Sequence, residues 1–476
     1  MSSQCDVAPG IYRLSSASLI GIDRLPTELW IQVLDHLPPV DLRTFSSTCR
    51  ELRELARPLL YTTFSVSIVA FVEHHPGLAE RVRFHLPRSL VDHMERMQFY
   101  ASPSVAPFVK DCELSLCGSI EKDCGEERPH DEAKKLMEWF FFMVVDKFPA
   151  LKSMTLRGVT LTSHYLSHIK RLQVANVESL TLEGCPLDGW PSVPRLLPKL
   201  SIPSITLLDK RLPCSALRNT TFQDYLSFID IRALRTLHMH AESPLYMDNI
   251  LIQTYLFVAT LPCNQTFVSL TVLHLPYHFT GHPLFIPFLE KCPNLEELGF
   301  LEFDMSSECP PGFCENRISQ SILPHVTRFI GPYPCLVPFL GFQLRSIVLT
   351  GTYVRTDAAH IGCLLLQLEY PEMLEVLHVS MTPCESQELF LDIECLFPKL
   401  EFLAVASLDS TIGICEFAGI PNLLPPTIQD FRLGLQQPYY PDDREILMRG
   451  LLERCQGMRT VVVNYEDGRS WTWGSC

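Results

Sequence analysis

One pattern recurs through most of this chain: an apolar residue, two of any kind, an apolar residue, one of any kind, and a third apolar residue. It first runs in series as Leu151/Met154/Leu156 and Val177/Leu180/Leu182. It continues through Leu234/Leu237/Met239, Leu270/Leu273/Leu275 and Leu400/Leu403/Val405 to Met458/Val461/Val463. Successive copies start 18 to 36 residues apart, with the shortest step between Val326 and Leu344. An outlying copy, Val109/Cys112/Leu114, precedes a charged stretch at 118–135. Each trio ends in period-two alternation, which predicts a short strand with alternate side chains inward. Four trios follow a proline, at Pro149, Pro293, Pro324 and Pro398. Proline cannot continue a helix and pushes the residue before it toward extended geometry. Segments upstream, such as 136–148 and 444–455, suit helices. The unit is therefore strand, loop, helix, proline stop, next strand. No single unit buries its apolar face alone, so the units must stack, and that is a solenoid with a parallel sheet. The 18-residue step leaves no room for a proper helix, so the repeat there should be distorted.

The trio resembles the first half of the leucine-rich-repeat signature, and VESLTLEGCPL, with Cys185 and Leu187, completes it. Elsewhere the asparagine position holds Val159, Phe303, Thr352 or Thr382, which implies irregular loops. The fold class implied is α/β: an irregular leucine-rich-repeat horseshoe over 151–476. Residues 63–150 read as a connecting region with a first irregular repeat and a charged loop. Residues 1–21 read as a disordered tail.

Composition narrows the function. A net charge of −15 opposes sequence-independent nucleic-acid binding, which needs clustered positive charge. No stretch approaches the roughly 18 uninterrupted apolar residues of a membrane span. The 18 cysteines are scattered with no C-x-x-C pair, which fits free thiols in a reducing compartment, cytoplasm or nucleus. No phosphate-binding glycine loop, dinucleotide fingerprint or serine-nucleophile elbow is present. His164 and His168 are four apart but lack the H-E-x-x-H context of zinc. Neither cofactor, metal nor catalytic residue is expected.

The stretch 22–61 carries the most information. Pro26 suits a first helical position and Glu28 the first helical turn. Trp30, Val33, Leu34 and Leu37 share one helical face, and Pro38-Pro39 ends that helix. Leu42, Phe45, Cys49, Leu52, Ala56 and Leu59 continue helical spacing. About forty residues of short helices bury little surface and need a partner or the adjacent solenoid. The segment resembles an F-box: Leu25, Pro26, Glu28 and Leu29 open the pattern, and Val33, Leu34, Leu37, Asp41 and Leu42 follow. Cys49-Arg50 and Pro58-Leu59-Leu60-Tyr61 close it. Leu52 stands where many members have tryptophan. The resemblance implies an F-box over 22–62 that docks a Skp-type adaptor through Leu25, Pro26, Glu28, Leu29, Val33, Leu34, Leu37 and Leu42. Through that adaptor it implies a cullin–RING ubiquitin ligase, with the solenoid holding an unidentified protein substrate. The competing reading is a non-enzymatic scaffold whose N-terminal helices bind an adaptor outside a ligase or only cap the solenoid. A cap needs a polar outer face, whereas an F-box needs an apolar one around Leu25, Pro26 and Leu29.

Between the trio positions, side chains point to the concave face of the sheet. They include His238, His240, His274 and His378, ordinarily solvated side chains. They also include Val348, Val376, Phe402, Ala404 and Ala406, an apolar set placed as the expected substrate contact. A covering helix or tail is the alternative occupant of that set.

Overall fold

The computed structural model describes residues 26–73, 81–85, 90–117, 135–173, 177–185, 199–209, 228–241, 266–281, 284–301, 317–350, 361–381, 393–407, 420–435, 441–465 and 470–474. Three helices open it: α1 (Thr27–Asp35), α2 (Pro39–Ser46) and α3 (Arg50–Leu60). Pro38, at the N-cap of α2, and Pro39, its first residue, set the break between α1 and α2. Leu34, Leu42, Leu52 and Ala56 form the buried seam of this unit, and Trp30 packs on Phe45 with ring centroids 6.1 Å apart.

Every apolar trio then enters one sheet. From one edge it runs β2 (Arg81–His85), β1 (Thr63–Glu73), β3 (Asp111–Cys117), β4 (Ser153–Arg157), β5 (Ser179–Glu183), β6 (Ser204–Asp209), β7 (Thr236–Ala241) and β8 (Val272–Pro276). It continues through β9 (Glu297–Leu301), β10 (Arg328–Gly331), β11 (Ser346–Leu349), β12 (Val376–Met381), β13 (Phe402–Ser407), β14 (Asp430–Leu435), β15 (Thr460–Tyr465) and β16 (Ser470–Gly474). β1 (Thr63–Glu73) and β3 (Asp111–Cys117) are parallel, and parallel pairing continues without a gap to β15 (Thr460–Tyr465). The two edge strands, β2 (Arg81–His85) and β16 (Ser470–Gly474), are antiparallel to their neighbours. β1 follows the helices directly, and its trio, Tyr61/Phe64/Val66, begins on the residue after α3. Leu180, Leu182, Leu403 and Val405 are buried, as the alternation requires.

Two local devices repeat along the sheet. At all four prolines the chain makes a turn in which the residue two places after proline donates its amide to the carbonyl just before it: Leu151 to Phe148, Leu295 to Cys292, Val326 to Leu323 and Leu400 to Phe397. Proline's fixed φ suits the second position of such a turn. The next two amides then converge on one carbonyl of the preceding repeat. Lys152 and Ser153 share the Lys110 oxygen, Glu296 and Glu297 share that of Thr271, and Glu401 and Phe402 share that of Glu375. The shared acceptor recurs at the strand starts and sets a common register, except where Pro203 has no amide and Ser204 alone bonds Glu178.

Behind the sheet the connections are irregular. α4 (Leu90–Tyr100), α5 (Ser163–Gln173) and α6 (Pro441–Arg454) are regular helices. The stretch after Trp139 winds as a π-helical turn, Phe140–Val144, then a 3₁₀ turn. Between β10 (Arg328–Gly331) and β11 (Ser346–Leu349) there is only a 3₁₀ segment, Tyr333–Phe339, as the short step demands. At Cys185 the thiol donates to the Leu156 carbonyl (3.1 Å), so this buried cysteine ties its loop to the previous strand. Among the described residues no helix is long and apolar enough to cross a membrane.

Candidate functional site: an apolar helical flank and the open face of the sheet

The N-terminal helices expose apolar surface. Leu29 is 43% exposed, Ile31 45%, Val33 44% and Val40 69%, and Pro26 and Glu28 are also at the surface. Leu29 and Val33 are one turn apart on α1, so they form a continuous flank. Leu25 lies outside the described residues. Two residues placed on the docking face by their sequence pattern are elsewhere. Leu34 and Leu42, at 0% and 6% exposure, hold the helices together from inside. The helical arc containing Trp30, Val33, Leu34 and Leu37 is wider than one contact face. Its Leu34 side meets α3 and its Val33 side meets solvent. Leu37 is half-buried between the two.

An aromatic joint fixes these helices to the sheet. Tyr61, just after α3, meets Phe99 (5.6 Å) and Tyr100 (5.8 Å) of α4 edge-on. Phe64 of β1 stacks on Phe140 (6.0 Å, 4°) and touches Phe148 (5.6 Å). The Thr62 carbonyl accepts the Lys110 and Asp111 amides (2.8 and 3.1 Å), starting the same ladder that runs through the solenoid.

The opposite surface of interest is the sheet face away from the core. Strand register gives a central row running Glu113, Thr155, Thr181, Thr206, His238, His274, Gly299, Ile330, Val348, His378, Ala404 and Arg432. Its first third is lined by hydroxyls, and its acids are paired: Arg157 bridges Glu113 (3.1 Å) and Glu183 (2.9 Å). In the middle, His274 Nε2 meets the Glu297 carboxylate at 2.7 Å, and Arg328 holds that carboxylate's other oxygen at 3.0 Å. The hydrogen bond to His274 is the largest cause holding the Glu297 carboxyl below its usual range. His238 stacks flat on His274, centroids 4.2 Å apart. Burial, then the neighbouring His274 and His240, push the His238 pKa down to about 4.

The last third is apolar. Val348, Val376 and Phe402 are half-buried on this face, and the Arg432 guanidinium lies over the Phe402 ring at 5.2 Å. Val376 and Phe402 are direct cross-strand partners, whereas Val348 is one row over, opposite His378. Ala404 differs from its expected exposure. It is buried, because its methyl lies low between the longer His378 and Arg432 in the same row. Ala406 is placed by backbone register alone, opposite Ser380 and Gly434. Nothing in the sequence singled out Arg432 or Glu297, whose roles depend on which residues the register sets beside them. Among the described residues no group of three histidine, cysteine or carboxylate side chains is arranged to hold a metal.

Comparison with known proteins adds one sequence match. The F-box-like family model matches residues 22–67. No curated protein matches the chain. Among solved structures it is similar to the leucine-rich repeat-containing protein LegL7 from Legionella pneumophila: TM-score 0.37, 14% identity, covering 83% of this chain and 98% of that one. It is also similar to the yeast complex of Rad7 and Elc1, at TM-score 0.27 and 14% identity, covering 87% of this chain and 91% of that one. Scores this low add nothing to the strand pairing above. With the three helices, the exposed flank and the unbroken parallel sheet in place, the chain carries an F-box-like domain at residues 22–67 followed by a leucine-rich-repeat-like solenoid.

Proposed function

We propose that this chain is the substrate-recognition subunit of a cullin–RING ubiquitin ligase, with its F-box-like helices docking a Skp-type adaptor and the open face of its sheet holding a protein substrate. The observation that carries the reading is the exposed apolar flank of Pro26, Leu29, Val33 and Val40 on a unit that matches the F-box-like model. Helices that only capped the solenoid would turn a polar surface outward. Leaving this apolar surface in water is unfavourable, and because Leu29 and Val33 are already more than half covered, a partner that buries them recovers roughly half of the ~1.5 to 3 kcal/mol of a full burial for each.

On this reading the chain supplies no bond-making group. It raises the effective concentration of substrate lysines beside a charged ubiquitin-conjugating enzyme, which is catalysis by proximity. The aromatic joint at Tyr61, Phe64 and Tyr100 supports that role, because a rigid connection keeps a bound substrate at a fixed distance from the adaptor. Such an assembly would act in the cytoplasm or nucleus, which imaging of the tagged chain checks.

The test is recovery of the adaptor with the full chain. Leu29→Asp combined with Val33→Asp should abolish co-purification of a Skp-type adaptor while circular dichroism and the thermal transition stay unchanged. Undiminished adaptor recovery with this variant would overturn the docking assignment.

A further inference from the structure

The open face is not uniform, and its charges show where a partner is missing. Three arginines rise from the rows of this face: Arg157, Arg328 and Arg432. Arg157 is satisfied by Glu113 and Glu183, and Arg328 by Glu297. Arg432 has no carboxylate within ion-pair distance among the described residues. Asp430, two residues earlier on the same strand and face, is not paired with it. The guanidinium is held instead on the Phe402 ring, 5.2 Å from its centroid. A cation stacked this way keeps its in-plane N–H donors free for an acceptor.

The surroundings of Arg432 fit a bound segment. On one side lie Phe402, Val376 and Val348, half-buried and outside the hydrophobic core. Its cross-strand neighbours are the low Ala404 and Val462, and Gly434 comes next along the same face of its own strand, so the approach to the guanidinium is open on the Ala404 and Gly434 sides. Burial, then the charge of Arg432, lowers the pKa of His378, across Ala404 in the same row. Arg432 supplies the guanidinium of the patch, and Asp430, directly opposite Phe402, borders it without an ion pair to it. A single guanidinium matches the single charge of a carboxylate, in a two-pronged geometry.

We infer that the patch formed by Arg432, Phe402, Val376 and Val348 captures a protein segment in which an aspartate or glutamate carboxylate sits close to a large apolar side chain. The carboxylate takes the Arg432 fork, and the apolar side chain covers Phe402 and the two valines. This inference rests on the reading of the open face as the substrate surface and gives that substrate a chemical class.

The experiment screens a random-peptide phage library against the purified full chain and, in parallel, measures adaptor recovery. The wild type should enrich peptides with Asp or Glu within a few positions of Leu, Phe or Trp. Arg432→Ala should weaken a selected peptide by about tenfold or more, the size expected for one charge-assisted hydrogen-bonded pair. Arg432→Glu should shift selection to Lys- and Arg-bearing peptides. Phe402→Ala should weaken acidic and basic selections alike. Arg432 is exposed, so the two Arg432 variants should melt with the wild type. Selection of peptides with no acidic preference overturns the inference, as does an acidic preference that survives Arg432→Glu. Absence of any selected peptide, as a segment of this chain lying over the patch would cause, overturns it too. Adaptor recovery is read separately, so loss of the adaptor with intact acidic selection counts against the docking assignment alone.

Discussion

Gly299 lacks a side chain where His274 occupies the space one would need. A Cβ at 299 would lie 2.5 Å from His274 Cδ2, closer than carbon atoms approach. That ring is fixed by its bond to Glu297 and its stack on His238, so it cannot move freely. Gly299→Ala should therefore cost about 1 to 3 kcal/mol of stability by urea unfolding. The cost should largely vanish in a His274→Ala background, which is the double-mutant test of a specific contact. An equal cost in both backgrounds would show that the ring is not the cause. The adjacent His238 predicts a pH effect. Its pKa falls from the ordinary 6.5 to about 4 in the folded chain, so between these values the unfolded chain binds more protons. Stability should rise with pH across that window and be lost as acid is added. His238→Gln should flatten this part of the stability–pH curve, and an unchanged slope would contradict the assignment. At this scale the sequence was partly legible. The histidine positions on one face followed from alternation. Their pairing with Glu297, on the next strand, depended on a cross-strand register that spacing alone leaves open.

Among the elements, the N-terminal helices separate two roles that one helical period merges. Val33 and Leu34 are neighbours in sequence, yet one is 44% exposed and the other is fully buried. Leu34→Ala should cost about 2 to 5 kcal/mol, a large share of what so small a unit can hold. Hydrogen exchange should then show loss of protection in α1 to α3 with the sheet unaffected. Val33→Ala should leave exchange unchanged and weaken only adaptor binding. Similar loss of protection in both variants would sink this division of labour. The helical pattern was readable because prolines at 26, 38 and 39 mark its boundaries. Which part of the apolar arc faces inward was not readable, because that depends on how α3 crosses α1. The strands were legible for a different reason. The trios bury their side chains at fixed spacing, and four of them start from the turns at Pro149, Pro293, Pro324 and Pro398. β1 was harder to read because its trio, Tyr61/Phe64/Val66, starts inside the helical stretch 22–61.

At the scale of the whole molecule, one sheet links the two proposed functions. Twelve strand-to-strand steps separate β1, beside the F-box-like helices, from β14 (Asp430–Leu435), which carries Arg432. At about 4.8 Å per step the sheet path is roughly 60 Å. Distance along such a path is stable only if each repeat is held by its neighbours. The shared-carbonyl ladder and the continuous buried stripe do that from Thr62 to Thr460. In a stack of this kind each repeat contacts only the repeats beside it, so stability is local and additive along the axis. A defect placed mid-stack should then spread outward and fade. Leu298 of β9 (Glu297–Leu301) is fully buried with β8 (Val272–Pro276) on one side and β10 on the other. Leu298→Ala should cost about 2 to 5 kcal/mol. Its hydrogen-exchange signature should be strongest in β8, β9 and β10 and weak in β4 (Ser153–Arg157) and β14. Adaptor recovery should persist, because the helices and their aromatic joint lie seven strands away from the defect. Uniform loss of protection from β1 to β15 would mean that the sheet opens as one cooperative block. The solenoid could not then bend or fray at one repeat while keeping its grip on the adaptor at the other end.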